Sequence, residues 1–351
     1  MEELQDIRDL SFTDLEDVLL HMSHPKYRAK QVYDWIWKKD VTDFDQMGNV
    51  PKAIREELKK RYTIPYVEVD KVQTSTDGTV KFGLRLADGQ MIEAVLIPVE
   101  RDDRYTVCVS SQVGCSLSCK FCATGTMGRI RNLKAQEILD QYRIVDRHCI
   151  ELYGRGLTNV VYMGMGEPLL NYAPVVRSLR LLTDPEVQGI SPRRITVSTA
   201  GVAKMITRLA DEGLKINLAL SLHAADDTKR SEIMAINDSN GLDILRDALY
   251  YFYRELRTKI SFEYIALRDF NDSDEDAERL ATYARGLPVM VNIIEYNTVD
   301  LFDWQRSEED RLDKFAKILT DDDVLVTIRR SRGKDIDAAC GQLALDGQGA
   351  S

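Results

Sequence analysis

No run of eighteen uncharged apolar residues occurs in this 351-residue sequence, so it holds no candidate for a membrane-spanning helix. Its acidic opening, Met1-Glu-Glu-Leu-Gln-Asp6, lacks the basic and apolar parts of a signal peptide, and the expected location is the cytoplasm. In that reducing compartment the six cysteines are expected as thiols or metal ligands, not as stable disulfides. Excess positive charge is also missing. A net charge of −10 argues against a protein that coats nucleic acid indiscriminately. Short repeats and low-complexity tracts are absent, and the composition is that of an ordinary globular chain, long enough for one large domain and a smaller one. A second C-x2-C pair is absent too, which counts against a paired zinc knuckle.

What is present is a C-x3-C-x2-C run, Cys115, Cys119 and Cys122, within Gly114-Cys-Ser-Leu-Ser-Cys-Lys-Phe-Cys-Ala-Thr-Gly125. Cysteine thiolates hold iron–sulfur clusters, normally four of them. Three on one short loop would grip three irons of a cubane and leave the fourth open, and an open coordination position marks a reactive metal site. Half of a zinc site, or three free thiols, is the bland alternative. Charge is unevenly spread. Residues 1–24 carry seven acids and one base, whereas 25–62 carry ten Lys/Arg against six acids. Lys120, Arg129, Arg131 and Lys134 follow the cysteine loop, and Arg329, Arg330, Arg332 and Lys334 approach Cys340. Such runs are usually solvated faces, but patches flanking two cysteine sites suit a polyanionic substrate.

Residues 1–62 read as a helical module. Ala29, Val32, Tyr33, Ile36 and Trp37 form one apolar stripe, and Pro51 opens a second amphipathic stretch. Residues 63–100 switch to alternation around an Ala-Asp-Gly-Gln turn, predicting a small antiparallel β extension. From 101 to 334 strands are expected at 105–110, 159–164, 194–199, 216–222, 260–267, 290–296 and 323–329, with helices between them. This alternation predicts an α/β fold with a parallel sheet, and six or seven units fit a barrel or open barrel better than a doubly wound sheet. The acidic run Asp269–Glu278 is expected as a helix start with a solvated face.

Unusual residues gather just past the expected strand ends: the cysteine loop, Gly164-Met-Gly-Glu-Pro168, Ser198-Thr-Ala-Gly201, Ser221-Leu-His-Ala224 and Glu295-Tyr-Asn297. In parallel α/β folds ligands bind at the carboxyl ends of the strands. Five polar motifs on one rim imply a cofactor lying across the mouth. Cys149 continues the stripe Ile138, Tyr142, Val145 and is expected in the core. Cys108 lies seven residues before Cys115, near enough to share its site or simply to pack. Cys340, in Asp335-Ile-Asp-Ala-Ala-Cys-Gly-Gln-Leu343, stands beyond the last strand and is either reactive or inert.

Together these residues resemble the radical S-adenosylmethionine (SAM) superfamily, and more closely its RlmN/Cfr family of RNA adenosine methyltransferases. The resemblance is carried by Tyr27-Arg-Ala-Lys-Gln31, Cys108-Val-Ser-Ser-Gln-Val-Gly-Cys115, Met163-Gly-Met-Gly-Glu-Pro-Leu-Leu-Asn171, Ser221-Leu-His-Ala224 and Asp335–Leu343. Gly-Glu-Pro-Leu-Leu and Val113 favour the branch that methylates C2 of adenine over the Cfr-type branch that methylates C8. Met234-Ala-Ile-Asn-Asp238 and Asn297–Trp304 depart from the usual pattern. The resemblance implies a partial (β/α)6-type radical SAM barrel over 101–334, an RNA-binding N-terminal domain over 1–62, the β extension over 63–100 and a C-terminal segment, 335–351, carrying a methyl-carrier cysteine. It implies that Cys115, Cys119 and Cys122 hold a 4Fe–4S cluster whose open iron binds SAM. Gly166, Glu167, Ser198, Ser221, Leu222, His223 and Asn297 match SAM-contacting positions. Cys340 matches the methyl carrier, Cys108 its partner in a transient disulfide, and Glu93 an acid described as a proton acceptor. The implied partners are 23S rRNA, tRNA and an electron donor such as flavodoxin or ferredoxin, with the enzyme monomeric. Because C2 is electron-poor, a thiolate must take the methyl group first, so Cys340 is expected at lowered pKa beside Arg329, Arg330 and Arg332. Competing readings are a non-catalytic iron–sulfur protein that binds RNA or senses redox state, and a radical enzyme acting on a small molecule.

Overall fold

A computed structural model of the chain describes residues 4–344. Residues 1–3 of the N-terminal stretch and 345–351 of the C-terminal segment lie outside the described residues.

The N-terminal module is three short helices. Ser11 and Asp14 form a capping box at the start of α1 (Phe12–His21), each side chain accepting from the other's backbone N–H. Helix α2 (Tyr27–Trp37) buries the expected stripe at Ala29, Val32, Ile36 and Trp37. Pro51 precedes α3 (Lys52–Lys59), which buries Ile54 and Leu58. Gln5–Asp6 pairs in parallel with Tyr62–Thr63, so the two ends of the module meet. A buried ion pair fastens it to the rest: Arg8 Nη1 donates to both oxygens of Asp140 at 3.0 and 2.8 Å.

Ten strands form one continuous sheet. β1 (Glu68–Thr74), β2 (Val80–Arg85), β3 (Met91–Val99) and β4 (Arg104–Cys108) pair antiparallel in sequence. β4 then begins a parallel run through β5 (Asn159–Tyr162), β6 (Ile195–Thr199), β7 (Asn217–Ser221), β8 (Ile260–Ala266), β9 (Val289–Glu295) and β10 (Leu325–Arg329). Strand order follows chain order with no reversal, which is barrel-type winding; a doubly wound sheet reverses at a switch point. No pairing among the described residues joins β10 to β4 or β1.

The crossover helices are α4 (Ala135–Tyr153), α5 (Tyr172–Thr183), α6 (Ala203–Asp211), α7 (Asp227–Ile233), α8 (Leu242–Leu256), α9 (Asp274–Ala284) and α10 (Glu309–Asp321). Cys149 is fully buried on α4 with Ile138 and Val145, as its spacing predicts. Helix α7 was not foreseen: two turns are too short for a periodic signal. The acidic run also differs from its expected solvated face. Ser273 and Asp276 cap α9, but Asp276 is buried against Lys229 Nζ at 2.7 Å, and buried Asp272 accepts from Ser307 Oγ at 2.7 Å. Charge counting reads a carboxylate as solvated when its partners lie far off in sequence.

Candidate metal and cofactor site

The cysteine loop leaves the β4 side of the sheet on a glycine that no other residue replaces. Gly114 has φ +72, and a Cβ there would lie 1.8 Å from the Gly128 carbonyl oxygen. That close approach lets Cys115 N–H bond Gly128 O at 3.2 Å. Cys122 N–H reaches Cys119 O at 3.2 Å, folding the loop back, and the helical turn Ala123–Thr126 follows. Lys120 N–H donates to Ile233 O at 3.0 Å, tying the loop to the end of α7.

Cys115, Cys119 and Cys122 line one cleft of about 890 Å³, counted to its open mouth, with Gly166, Glu167, Ser198, Ser221, His223 and Cys340. No three His, Cys, Asp or Glu side chains among the described residues converge on a single metal position. A cubane does not require that, because each cysteine binds a different iron. Burial pushes the Cys115 thiol up to about 11 and raises Cys119 and Cys122 as well; Cys119 is raised further by Cys122 and Cys115. Metal coordination reverses this balance, since a coordinating thiol loses its proton. Three mutually interacting thiols in one cleft are a donor set that fits the cluster.

The strand ends supply the rest of the wall. Gly166, with φ +93, passes so close to Gln112 that a Cβ would meet its side chain at 2.4 Å. Glu167 is buried; its carboxylate accepts Leu169 N–H at 2.9 Å and Ala200 N–H at 2.7 Å, bridging the ends of β5 and β6. Burial raises its pKa, opposed by those two backbone bonds. His223 takes a left-handed conformation, φ +57, rare for a side-chain-bearing residue. Its Nδ1 accepts Ile265 N–H at 3.1 Å, so the neutral ring carries its proton on Nε2. Burial, then the charge of Arg230, lowers its pKa to about 3.

Cys340 reaches the cleft from the far end of the chain. Its segment is tied to the cysteine loop by Ala123 N–H to Gly341 O at 2.7 Å and Thr124 Oγ1 to Leu343 O at 2.5 Å, across 219 positions of sequence. Asn297 Nδ2 donates to Cys340 O at 3.2 Å, while its buried Oδ1 has no protein partner. The antiparallel extension holds the other side. Asp335 accepts from Ser75 Oγ at 2.5 Å and Thr76 N–H at 3.1 Å, Asp77 accepts Gly333 N–H at 2.9 Å, and Glu93 Oε2 accepts Ala344 N–H at 3.0 Å.

Four expected residues stand behind the wall. Leu222 is fully buried, and Asn297 acts through the Cys340 backbone. Cys108 is buried at the end of β4, close enough for Cys340 to add to the upward shift that burial gives its thiol. Glu93 is buried on β3, 3.4 Å from Lys81 Nζ. The lowered pKa expected for Cys340 is not found. Although the residue is exposed at the mouth, burial of its sulfur raises the thiol, opposed by Arg329. Arg330 and Arg332 turn to other partners, Glu309 and the Pro98 carbonyl. Proximity in sequence overcounted the cations that reach the sulfur.

Two residues of the site escaped the sequence. Glu263 lines the cleft from β8, held by Ser261 Oγ at 2.7 Å and Asn292 Nδ2 at 2.8 Å. An acid inside an otherwise apolar parallel strand was the available signal. Arg230, on α7, carried none. Ala235, at the departure from the usual family pattern, opens a 3₁₀ turn (Ala235–Ser239), a position proline tolerates because its N–H is not needed there.

Residues 5–64 match the ribosomal RNA large subunit methyltransferase N-terminal domain, and residues 109–281 match the radical SAM superfamily. The chain is 50% identical over 339 residues to a probable dual-specificity RNA methyltransferase RlmN of Cytophaga hutchinsonii, covering 97% of this chain and 92% of that one. It is 40% identical to a dual-specificity RNA methyltransferase RlmN of Nautilia profundicola, covering 93% and 95%. The crystal structure of a radical SAM methyltransferase from Sphaerobacter thermophilus superposes with a TM-score of 0.90 at 40% identity, covering 97% of this chain and 99% of that one. The chain belongs to the RlmN family of radical SAM RNA methyltransferases.

Proposed function

We propose that the protein methylates C2 of an adenosine in 23S rRNA, and of an adenosine in the anticodon loop of certain tRNAs, with Cys340 as the methyl carrier. One observation carries this reading: Cys340 and the three loop cysteines line the same cleft. Bound at Cys115, Cys119 and Cys122, a 4Fe–4S cluster supplies the electron that splits SAM. Glu167, Ser198, Ser221 and His223 on the strand-end rim would hold the SAM, with Asn297 behind them bonding the Cys340 carbonyl.

Cys340 takes the methyl group from one SAM as a thioether. A deoxyadenosyl radical from a second SAM would take one hydrogen atom from that methyl group, and the carbon would bond C2 of the adenine. The adduct would then give up the C2 hydrogen as a proton, to Glu93, and return one electron to the cluster. The Cys108 thiolate then attacks the Cys340 sulfur, forming a disulfide as the sulfur–carbon bond breaks, and the released carbon takes a proton to become the methyl group. The influence of Cys340 on the Cys108 thiol, and the place of Cys108 on the strand that feeds the cysteine loop, support this pairing. Glu93 is assigned the proton-acceptor role. Its register supports that: Val95 lies opposite Cys108, so Glu93, two residues earlier on β3, faces the same side. For its C2 to reach the Cys340 sulfur inside the cleft, the target base must be unstacked.

Reconstituted enzyme with SAM, a flavodoxin or ferredoxin reductant and 23S rRNA fragments is expected to yield 2-methyladenosine, read by mass spectrometry of the digested nucleosides. Finding 8-methyladenosine would move the assignment to C8, and no methylated product from cluster-loaded protein would favour a non-catalytic iron–sulfur protein.

A further inference from the structure

Arg230 is fully buried, and every hydrogen bond it makes goes to a neutral acceptor. Nε donates to Leu222 O at 3.1 Å, Nη1 to Asn237 Oδ1 at 2.7 Å, and Nη2 to Ala200 O at 2.5 Å and Ser221 O at 3.3 Å. A buried cation without an anion is costly, and carbonyl dipoles offset only part of that cost. Asp227, on the same helix, acts on Arg230 through space but gives it no hydrogen bond; its Oδ1 is taken by Asn237 Nδ2 at 2.9 Å and Leu242 N–H at 3.0 Å. Burial lowers the Arg230 pKa only to about 10, so the side chain stays charged at neutral pH.

Its position supplies the missing counter-charge. Ala200 and Ser221 line the cleft, so the guanidinium lies directly beneath the floor made by the ends of β6 and β7. The last residue of its helix, Ile233, accepts the N–H of Lys120, which follows Cys119 in the loop. Arg230 couples through space to Tyr283, then to Cys119, then to Asp227, and Cys119 is the one of these on the cysteine loop. A cubane in its 2+ state held by three thiolates carries a net negative charge that grows by one on reduction. Gly201, with φ +108, keeps the approach clear, since a Cβ there would lie 3.1 Å from Nη2.

We infer that Arg230 is the buried counter-ion of the iron–sulfur cluster, a positioning residue whose charge favours the reduced state from which SAM is split. This rests on the reading of Cys115, Cys119 and Cys122 as cluster ligands. Net charge and hydrogen bonding are what a protein uses to set such potentials. A purely structural clip joining β6 to β7 would need the hydrogen bonds and not the charge, and that difference is measurable.

The experiment uses full-length enzyme, reconstituted anaerobically without RNA, for wild type, R230K, R230Q and N237D. Iron and sulfide content are measured first, then the cluster midpoint potential by dithionite titration followed by electron paramagnetic resonance. R230Q is expected to lower the reduced-to-oxidised ratio at a fixed poise about tenfold, which is about 59 mV for one electron. R230K keeps the charge and is expected to stay near wild type. N237D leaves the arginine in place but sets a carboxylate against it, and is expected to shift the potential in the R230Q direction. If R230Q fails to fold, the R230K and N237D pair still decides. Equal potentials in wild type, R230Q and N237D, or a shift in R230K as large as in R230Q, would overturn the inference. Wild-type protein that takes up no cluster would instead defeat the reading on which it rests.

Discussion

The two halves of the sheet do different work. In the parallel half, β4 to β9 are largely buried; their carboxyl ends carry Glu167, Ser198 and Ser221 on one rim, and Glu263, in the middle of β8 opposite Ser221, lines the cleft beside them. In the antiparallel half, β1 is an exposed edge strand with little to bury, yet the β1–β2 turn and β3 hold the segment that bears Cys340. Strand ends fix a side chain through the whole ladder, which suits groups that must not move. The Cys340 segment is instead held by a few isolated hydrogen bonds, most of them from single side chains, with one backbone bond from Ala123 N–H to Gly341 O. In the proposed mechanism that would suit a sulfur that meets a methyl donor, an RNA base and then Cys108 in turn.

The sharpest way to test this division is to remove a cysteine from each half of the machinery. Cys119→Ala is expected to lose the cluster and all product together. Cys340→Ala should keep wild-type iron content while methylated RNA falls below detection, measured on the same preparations. Loss of iron in Cys340→Ala would erase the distinction. Next in size is the latch. Gly333 has φ +67, and a Cβ would meet Ala338 Cβ at 2.8 Å and Thr79 Cγ2 at 2.9 Å. Gly333→Ala and Asp335→Ala are each expected to slow methyl loading of Cys340 at least about tenfold, equivalent to about 1.4 kcal/mol of lost positioning. Cluster content and SAM affinity should be unchanged, by iron assay and calorimetry.

Lys81→Met takes away the cation 3.4 Å from buried Glu93 and a donor to Asp337 O. Breaking a buried pair from one side costs about 3 kcal/mol, read as a lowered midpoint of denaturant unfolding. The smallest effect is on pH. Asp335 is held below its ordinary value by the Ser75 hydroxyl and the Thr76 N–H. In Asp77, burial pushes upward, but bonds from Thr79 and Gly333 outweigh it. Folded values below unfolded ones mean that the latch is at full strength above about pH 4 and is lost as pH falls through the depressed values. Hydrogen exchange at residues 333–344 should therefore rise on acidification before exchange in β5 to β8 does.

Much of the frame was legible because local signals repeat. Alternation and helical stripes placed all seven parallel strands within two residues at most ends, and the Ile138–Cys149 stripe is buried as read. Errors arose where burial or long-range pairing overrode composition. Asp272 and Asp276 looked solvated and are buried, Arg330 and Arg332 looked like Cys340 partners and bond elsewhere, and α7 was too short to see.

By itself the chain's spelling determined three things: a thiol triplet at cluster spacing, polar motifs phased to strand ends, and sequential βα units that wind one way. Each is a pattern within a few residues or a fixed period, which is the range over which sequence carries physical information. Tertiary structure alone decided that the segment bearing Cys340 returns to the cysteine loop, Leu343 meeting Thr124 across 219 positions, that Ser75 and Asp335 meet across 260, and that a buried arginine lies beneath the cleft hydrogen-bonded only to neutral acceptors. Those facts depend on chain closure and on the low dielectric of a packed interior, and neither leaves a local mark in sequence.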